Sequence, residues 1–208
     1  MTRIHITSTE NPFDSRRKAR LAVGLITMAE AMGLLGEMEI RHLDLDTFRQ
    51  IVDRIAAAGI GTEVQTALHT GDGAEPPAEI DQLLERLAVA MEESPTPRHE
   101  WPSLEGLFGT DRLAHLLHVS PASVRRYAGG SRPTPDVVAA RLHFLARVVA
   151  DLAGAYNDFG IRRWFERRRS VLEDRAPADL LAGDWDPDGS DAERIRELSR
   201  SLGASAAT

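Results

Sequence analysis

The most constraining stretch of the chain is residues 110–132, TDRLAHLLHVSPASVRRYAGGSR, where small, apolar and turn-forming residues fall at the spacings two crossing helices require. A close crossing needs a small residue inside the first helix, and Ala114 supplies it. Four residues later the chain must leave that helix at a position that often takes positive φ. Glycine is commonest there, and His118 is a moderately tolerant substitute. Val119 reads as a buried anchor in the turn. Ser120 can cap the second helix while Pro121 occupies its first turn. Val124, ten residues after Ala114, would face the first helix, with Leu113, Leu116 and Leu117 filling the contact.

Similar helical periodicity runs through most of the rest. From Asp14 or Ser15, Ala19, Val23, Ile26 and Ala29 share one face until Gly33 and Gly36 break the pattern. A second helix fits Leu45 to Ala58, headed by Asp44 or Asp46 and ended by Gly59–Gly61. Residues 70–78 read as a loop, and a third helix fits Glu79 to Met91. Residues 94–102, SPTPRHEWP, read as a proline-rich linker and a domain boundary. Beyond it come a short helical piece at Leu104–Phe108 and a helix capped by Thr110. A long helix runs from Asp136 to about Asp158, where Gly160 stops it. Further helices fit Ile161–Arg168, Ala178–Ala182 and Asp191–Leu202. Only the first ten residues, with Ile4 and Ile6, suggest a strand.

The class is therefore mostly α: an N-terminal helical region (1–93), the linker (94–102), a helix-turn-helix module (103–135), a second helical domain (136–203) and a tail (204–208) that frays. With 42% hydrophobic and 27% charged residues, an ordinary globular core is within reach. Cysteine is absent, which excludes disulfides, a thiol nucleophile and a cysteine-based zinc site. No run approaches 18 apolar residues, and MTRIHITSTENPFDSRRK has no apolar h-region. Those features point to a cytoplasmic protein without a membrane span.

The net charge of −7 hides an asymmetry. Residues 1–100 carry 10 basic and 17 acidic side chains, residues 101–183 carry 12 and 9, and residues 184–208 carry 3 and 6. A basic middle can still meet phosphates, because fields act locally over about 10 Å. In the second helix of the 110–132 stretch, Ala122, Ser123, Arg125 and Arg126 lie on the face away from the first. Such residues enter the major groove in DNA-reading helices, where arginine reads guanine or clamps phosphate. Ser120, Ala122, Ser123, Arg125, Arg126 and, for the backbone, Arg132 are the candidate DNA contacts. A helical hairpin with a solvated arginine face is the plainer alternative. Tyr127 reads as core or rim.

Residues 110–182 together carry a resemblance. The helix-turn-helix is followed by a long helix (Val137–Tyr156), a Gly160–Phe165 segment containing Trp164, and an ending with Pro177, Leu180 and Leu181. This resembles the Xre/MbcA/ParS antitoxin family over about residues 104–203, leaving 1–95 uncovered. Arg168 stands where that family often has proline, and Glu173–Asp174 where it often has Gly-Gly. The resemblance implies an antitoxin of a bacterial type II toxin-antitoxin module. Such a protein neutralises a RES-domain, NAD-consuming toxin encoded by an adjacent gene, and binds operator DNA to repress its own operon. It also implies a C-terminal toxin-binding domain, for which Trp164, Arg168, Trp185 and Leu202 are the candidate contacts. Trp164 reads more readily as a plug of its own core, while Trp185, in the acidic loop GDWDPDGSD, reads as more exposed. A homodimer follows from palindromic operators.

No phosphate loop, dinucleotide fingerprint, zinc-protease motif or nucleophile elbow is present, so no catalytic residue and no cofactor is expected. His115, His118 and His143 could gather a metal, but solvated or capping roles suit them better. Asp184, Asp186, Asp188 and Asp191 begin like a calcium loop, yet the loop has a proline and lacks its terminal Glu; no metal is expected. The run Arg162, Arg163, Arg167, Arg168, Arg169 reads as a phosphate site or a solvated helix face. The alternative to the antitoxin reading is a stand-alone transcriptional regulator whose N-terminal region senses a ligand or dimerises.

Overall fold

A computed structural model describes residues 3–70 and 77–206. The chain is mostly helical and divides into two compact units, residues 1–94 and 95–208.

The first unit runs β1 (Arg3–Thr9), α1 (Arg16–Ala31), β2 (Glu39–Leu43), α2 (Leu45–Ala57), α3 (Thr62–His69) and α4 (Ile80–Glu92). Ser15 caps α1 by accepting from the Lys18 N–H, and Asp44 caps α2 by accepting from Thr47 at 2.7 Å. The strand foreseen at Ile4 and Ile6 exists, and it pairs in parallel with β2. β2 and α3 were not foreseen. β2 is five residues with only Ile40 and Leu43 buried, and α3 buries only Val64 and Leu68. The core gathers Phe13, Ile26, Met32, Leu35, Phe48, Ile51 and Ile55, with the Phe13 and Phe48 rings 5.1 Å apart. Most of the 70–78 loop lies outside the described residues.

The second unit runs α5 (Pro97–Phe108), α6 (Thr110–Leu117), α7 (Pro121–Ala128), α8 (Asp136–Ala153), α9 (Asp158–Glu166), a 3₁₀ turn (Ser170–Leu172), α10 (Pro177–Leu180) and α11 (Ser190–Ala206). α8 is the central element and packs on α5, α6, α9 and α11. The division into units falls after Ser94, yet residues 97–102 are not linker. They form the first half of α5. Pro97 sits at the helix start, where a missing N–H costs nothing, and burial of Trp101, Leu104 and Phe108 holds the helix despite Pro102.

Smaller boundaries also differ from the periodicity reading. α8 ends at Ala153 before Gly154, and Asn157 starts α9 by accepting from the Gly160 N–H at 2.9 Å. Gly160 therefore opens a helix instead of stopping one. Thr110 is the first residue of α6, and its hydroxyl donates to Glu105 at 2.6 Å. Residues 204–206 continue α11, while 207–208 lie outside the described residues.

Candidate nucleic-acid interface

The pair α6–α7 follows the spacing in its caps and contacts, except that Val119, expected as a buried anchor, is half-buried in the turn. His118 ends α6 with φ 53° and ψ 47°, the left-handed conformation, and the Val119 N–H reaches back to the Ala114 carbonyl at 3.0 Å. Ser120 caps α7 by accepting from the Ser123 N–H at 3.1 Å, and Pro121 occupies the first turn. Leu113, Ala114, Leu116, Leu117 and Val124 are buried together. Tyr127 is buried too, stacked on Trp101 with ring centroids 5.7 Å apart.

The opposite face of α7 meets solvent. Ser120, Ala122, Arg125, Arg126 and Arg132 are exposed and Ser123 is half-exposed. The Arg126 guanidinium lies 3.4 Å from the Ser123 hydroxyl, and Arg132 lies over the Tyr127 ring at 5.8 Å. Among the described residues no carboxylate pairs with Arg125, Arg126 or Arg132, so their donors are open to an anion. Guanidinium groups on an exposed helix face can clamp phosphate or read guanine.

Support for this pair comes from residues the sequence reading did not assign to it. The last carbonyls of a helix lack intrahelical donors. Here the Trp185 indole donates to the Leu116 carbonyl at 2.8 Å, and Arg141 of α8 donates to Leu117 at 3.5 Å. The same Arg141 donates to the Trp185 carbonyl at 2.8 Å and to Asp184 at 2.5 Å. That hydrogen bond holds the Asp184 carboxyl below its ordinary range. Between α5 and α8, the buried Glu100 and His143 meet at 2.6 Å. No local signal could have linked Arg141 to the turn. Its position inside an apolar helix was the one available hint.

The candidate toxin contacts do not come together as one exposed patch. Trp185 is 8% exposed and packs edge-on against Phe144, which corrects the expectation of an exposed loop tryptophan. Its indole N–H satisfies a helix end, and that bond requires burial. Trp164 is 2% exposed beside Phe165, so it plugs the core and offers no ring surface to a partner. Arg168 is exposed and Leu202 half-buried on α11. Among the described residues no group of three or more His, Asp or Glu could hold a metal. His143 is committed to Glu100, and Asp184 to Arg141. No helix among the described residues is long and apolar enough to cross a membrane.

In the first unit, a surface groove between α3 and α4 is lined by Glu63, Gln82, Glu85, Arg86, Val89 and Glu93. Its acidic excess disfavours phosphate. Compared with known proteins, the chain matches no family profile, no curated protein and no solved structure.

Proposed function

We propose that this protein is an antitoxin that acts by binding, without catalysis. It neutralises a RES-domain toxin encoded by an adjacent gene, and as a homodimer it binds operator DNA and represses its own operon in the cytoplasm. The observation that carries the DNA half is the α6–α7 pair. A left-handed His118, a Ser120 cap and a buried Val124 fix α7 so that Arg125 and Arg126 face solvent without counterions. Two such modules one DNA turn apart would read a palindrome.

The neutralising half rests on the family resemblance of residues 104–203. One local feature supports it. Glu173 and Asp174, standing where that family often has Gly-Gly, both have φ 58°, a conformation glycine takes most readily. A second reading, a stand-alone regulator, draws on the first unit having its own hydrophobic core.

The test is a division of labour. Arg125→Ala combined with Arg126→Ala should abolish binding to a duplex carrying the upstream promoter, measured by fluorescence anisotropy, while toxin neutralisation persists. Loss of neutralisation in a folded double mutant would sink the division. Wild-type affinity should also fall steeply with salt, because phosphate contacts release counterions.

A further inference from the structure

Phe159 and Val171 are the two most exposed large apolar side chains among the described residues, at 64% and 63%. Both lie in the stretch that runs along α9 into the 3₁₀ turn. Phe159 and Arg163 are four residues apart on the solvent face of α9, and Arg167 and Arg168 follow, all exposed. Several other arginines of this unit have acidic neighbours: Arg112 with Glu166, Arg175 with Asp191, Arg194 with Glu173 and Arg196 with Asp151. Among the described residues no carboxylate pairs with Arg163, Arg167, Arg168 or Arg169.

Arg169 and Trp164 add a second observation. The Arg169 guanidinium lies over the Trp164 ring at 4.9 Å, and burial pushes its pKa down. The buried Nε of Arg169 and the buried indole Nε1 of Trp164 have no hydrogen-bond partner. The other two tryptophans of the unit do satisfy theirs, Trp101 on Thr134 and Trp185 on Leu116. Buried donors without acceptors are uncommon. Here both belong to the segment whose arginines lack counterions.

We propose that residues 159–171 form a protein-docking surface. It fits a partner that brings carboxylates to Arg163, Arg167, Arg168 and Arg169 and an apolar cleft for Phe159 and Val171. Duplex DNA would answer the arginines, but it buries an apolar side chain only at the cost of unstacking a base step. Apolar and aromatic groups beside arginine are the composition of interface centres. For the partner's identity this rests on the neutralisation reading above, the partner being the adjacent gene's product. Its surface is then expected to be acidic where the two meet.

The test compares full-length wild type, Phe159→Ser and an Arg167→Glu/Arg168→Glu double variant. Each is titrated by calorimetry with the purified adjacent-gene product and, separately, with promoter duplex. All altered positions are exposed, and circular dichroism verifies the fold. Weakening of at least tenfold toward the protein in both variants, with DNA affinity unchanged, is the expected result. Wild-type affinity for the protein in either variant overturns the proposal. So does a loss confined to DNA, which would make this a nucleic-acid surface. If the wild type itself does not bind the product, the neutralisation reading fails and the assigned partner falls with it.

Discussion

The indole N–H of Trp185 donates to the carbonyl of Leu116 at 2.8 Å, so a residue 69 positions downstream completes the end of α6. The turn that sets α7 is thereby held from the C-terminal side of the unit. Trp185→Phe keeps an aromatic ring but loses the pyrrole half with its donor, leaving a small cavity and a buried carbonyl unpaired. That change should cost about 1–3 kcal/mol in thermal unfolding. It should also weaken promoter binding even though Trp185 lies on no exposed face. Unchanged stability and DNA affinity would show that the bond does not hold the turn.

His118 adopts φ 53°, where a side chain is tolerated at some cost. His118→Gly should raise the unfolding midpoint, by about 0.5–1 kcal/mol in stability, and His118→Val should lower it. Equal midpoints for the two variants would contradict a left-handed turn.

In the first unit, Gly61 has φ 64°, and a Cβ there would meet Leu87 Cδ1 at 2.5 Å. Gly61→Ala therefore combines backbone strain with a clash between the start of α3 and α4, and should destabilise by at least about 1 kcal/mol. Gly24→Ala is the control. Gly24 lies inside α1 with nothing within 4 Å of its would-be Cβ, so this change should stabilise by about 0.5–1 kcal/mol. Denaturant titration of both variants checks the pair.

Two carboxylates make stability fall in acid. Asp44 is held below its usual pKa chiefly by the Thr47 backbone N–H, and Asp184 by its hydrogen bond to Arg141. A group depressed in the folded state contributes above its unfolded pKa of about 4, and that contribution is lost as pH falls through the lower folded value. Unfolding midpoints should therefore be level above about pH 5 and decline below about pH 4. Asp44→Asn and Asp184→Asn should each flatten the decline. Asp44→Ala should also cost about 1 kcal/mol at neutral pH through the lost cap.

Much of the helical architecture was legible because its signals are local. Ser15, Asp44 and Ser120 cap helices within three residues of their partners. The spacing of Ala114, His118, Ser120 and Val124 specified the α6–α7 pair and the arginine face of α7. What escaped depends on distant partners. Trp185 in GDWDPDGSD looks exposed until Leu116, Arg141 and Phe144 are brought around it. Residues 94–102 look like linker until Trp101 stacks on Tyr127 and donates to Thr134 at 2.9 Å. β2 is too short to show alternation against a helical background, and its pairing with β1 spans more than thirty residues.

The most direct test of the antitoxin claim is cellular NAD⁺ after induction of the adjacent gene, alone and together with this protein. The account predicts collapse of NAD⁺ with the neighbour alone and retention when both are present. An NAD⁺ level that the neighbour leaves unchanged, or a collapse that this protein fails to prevent, would contradict it.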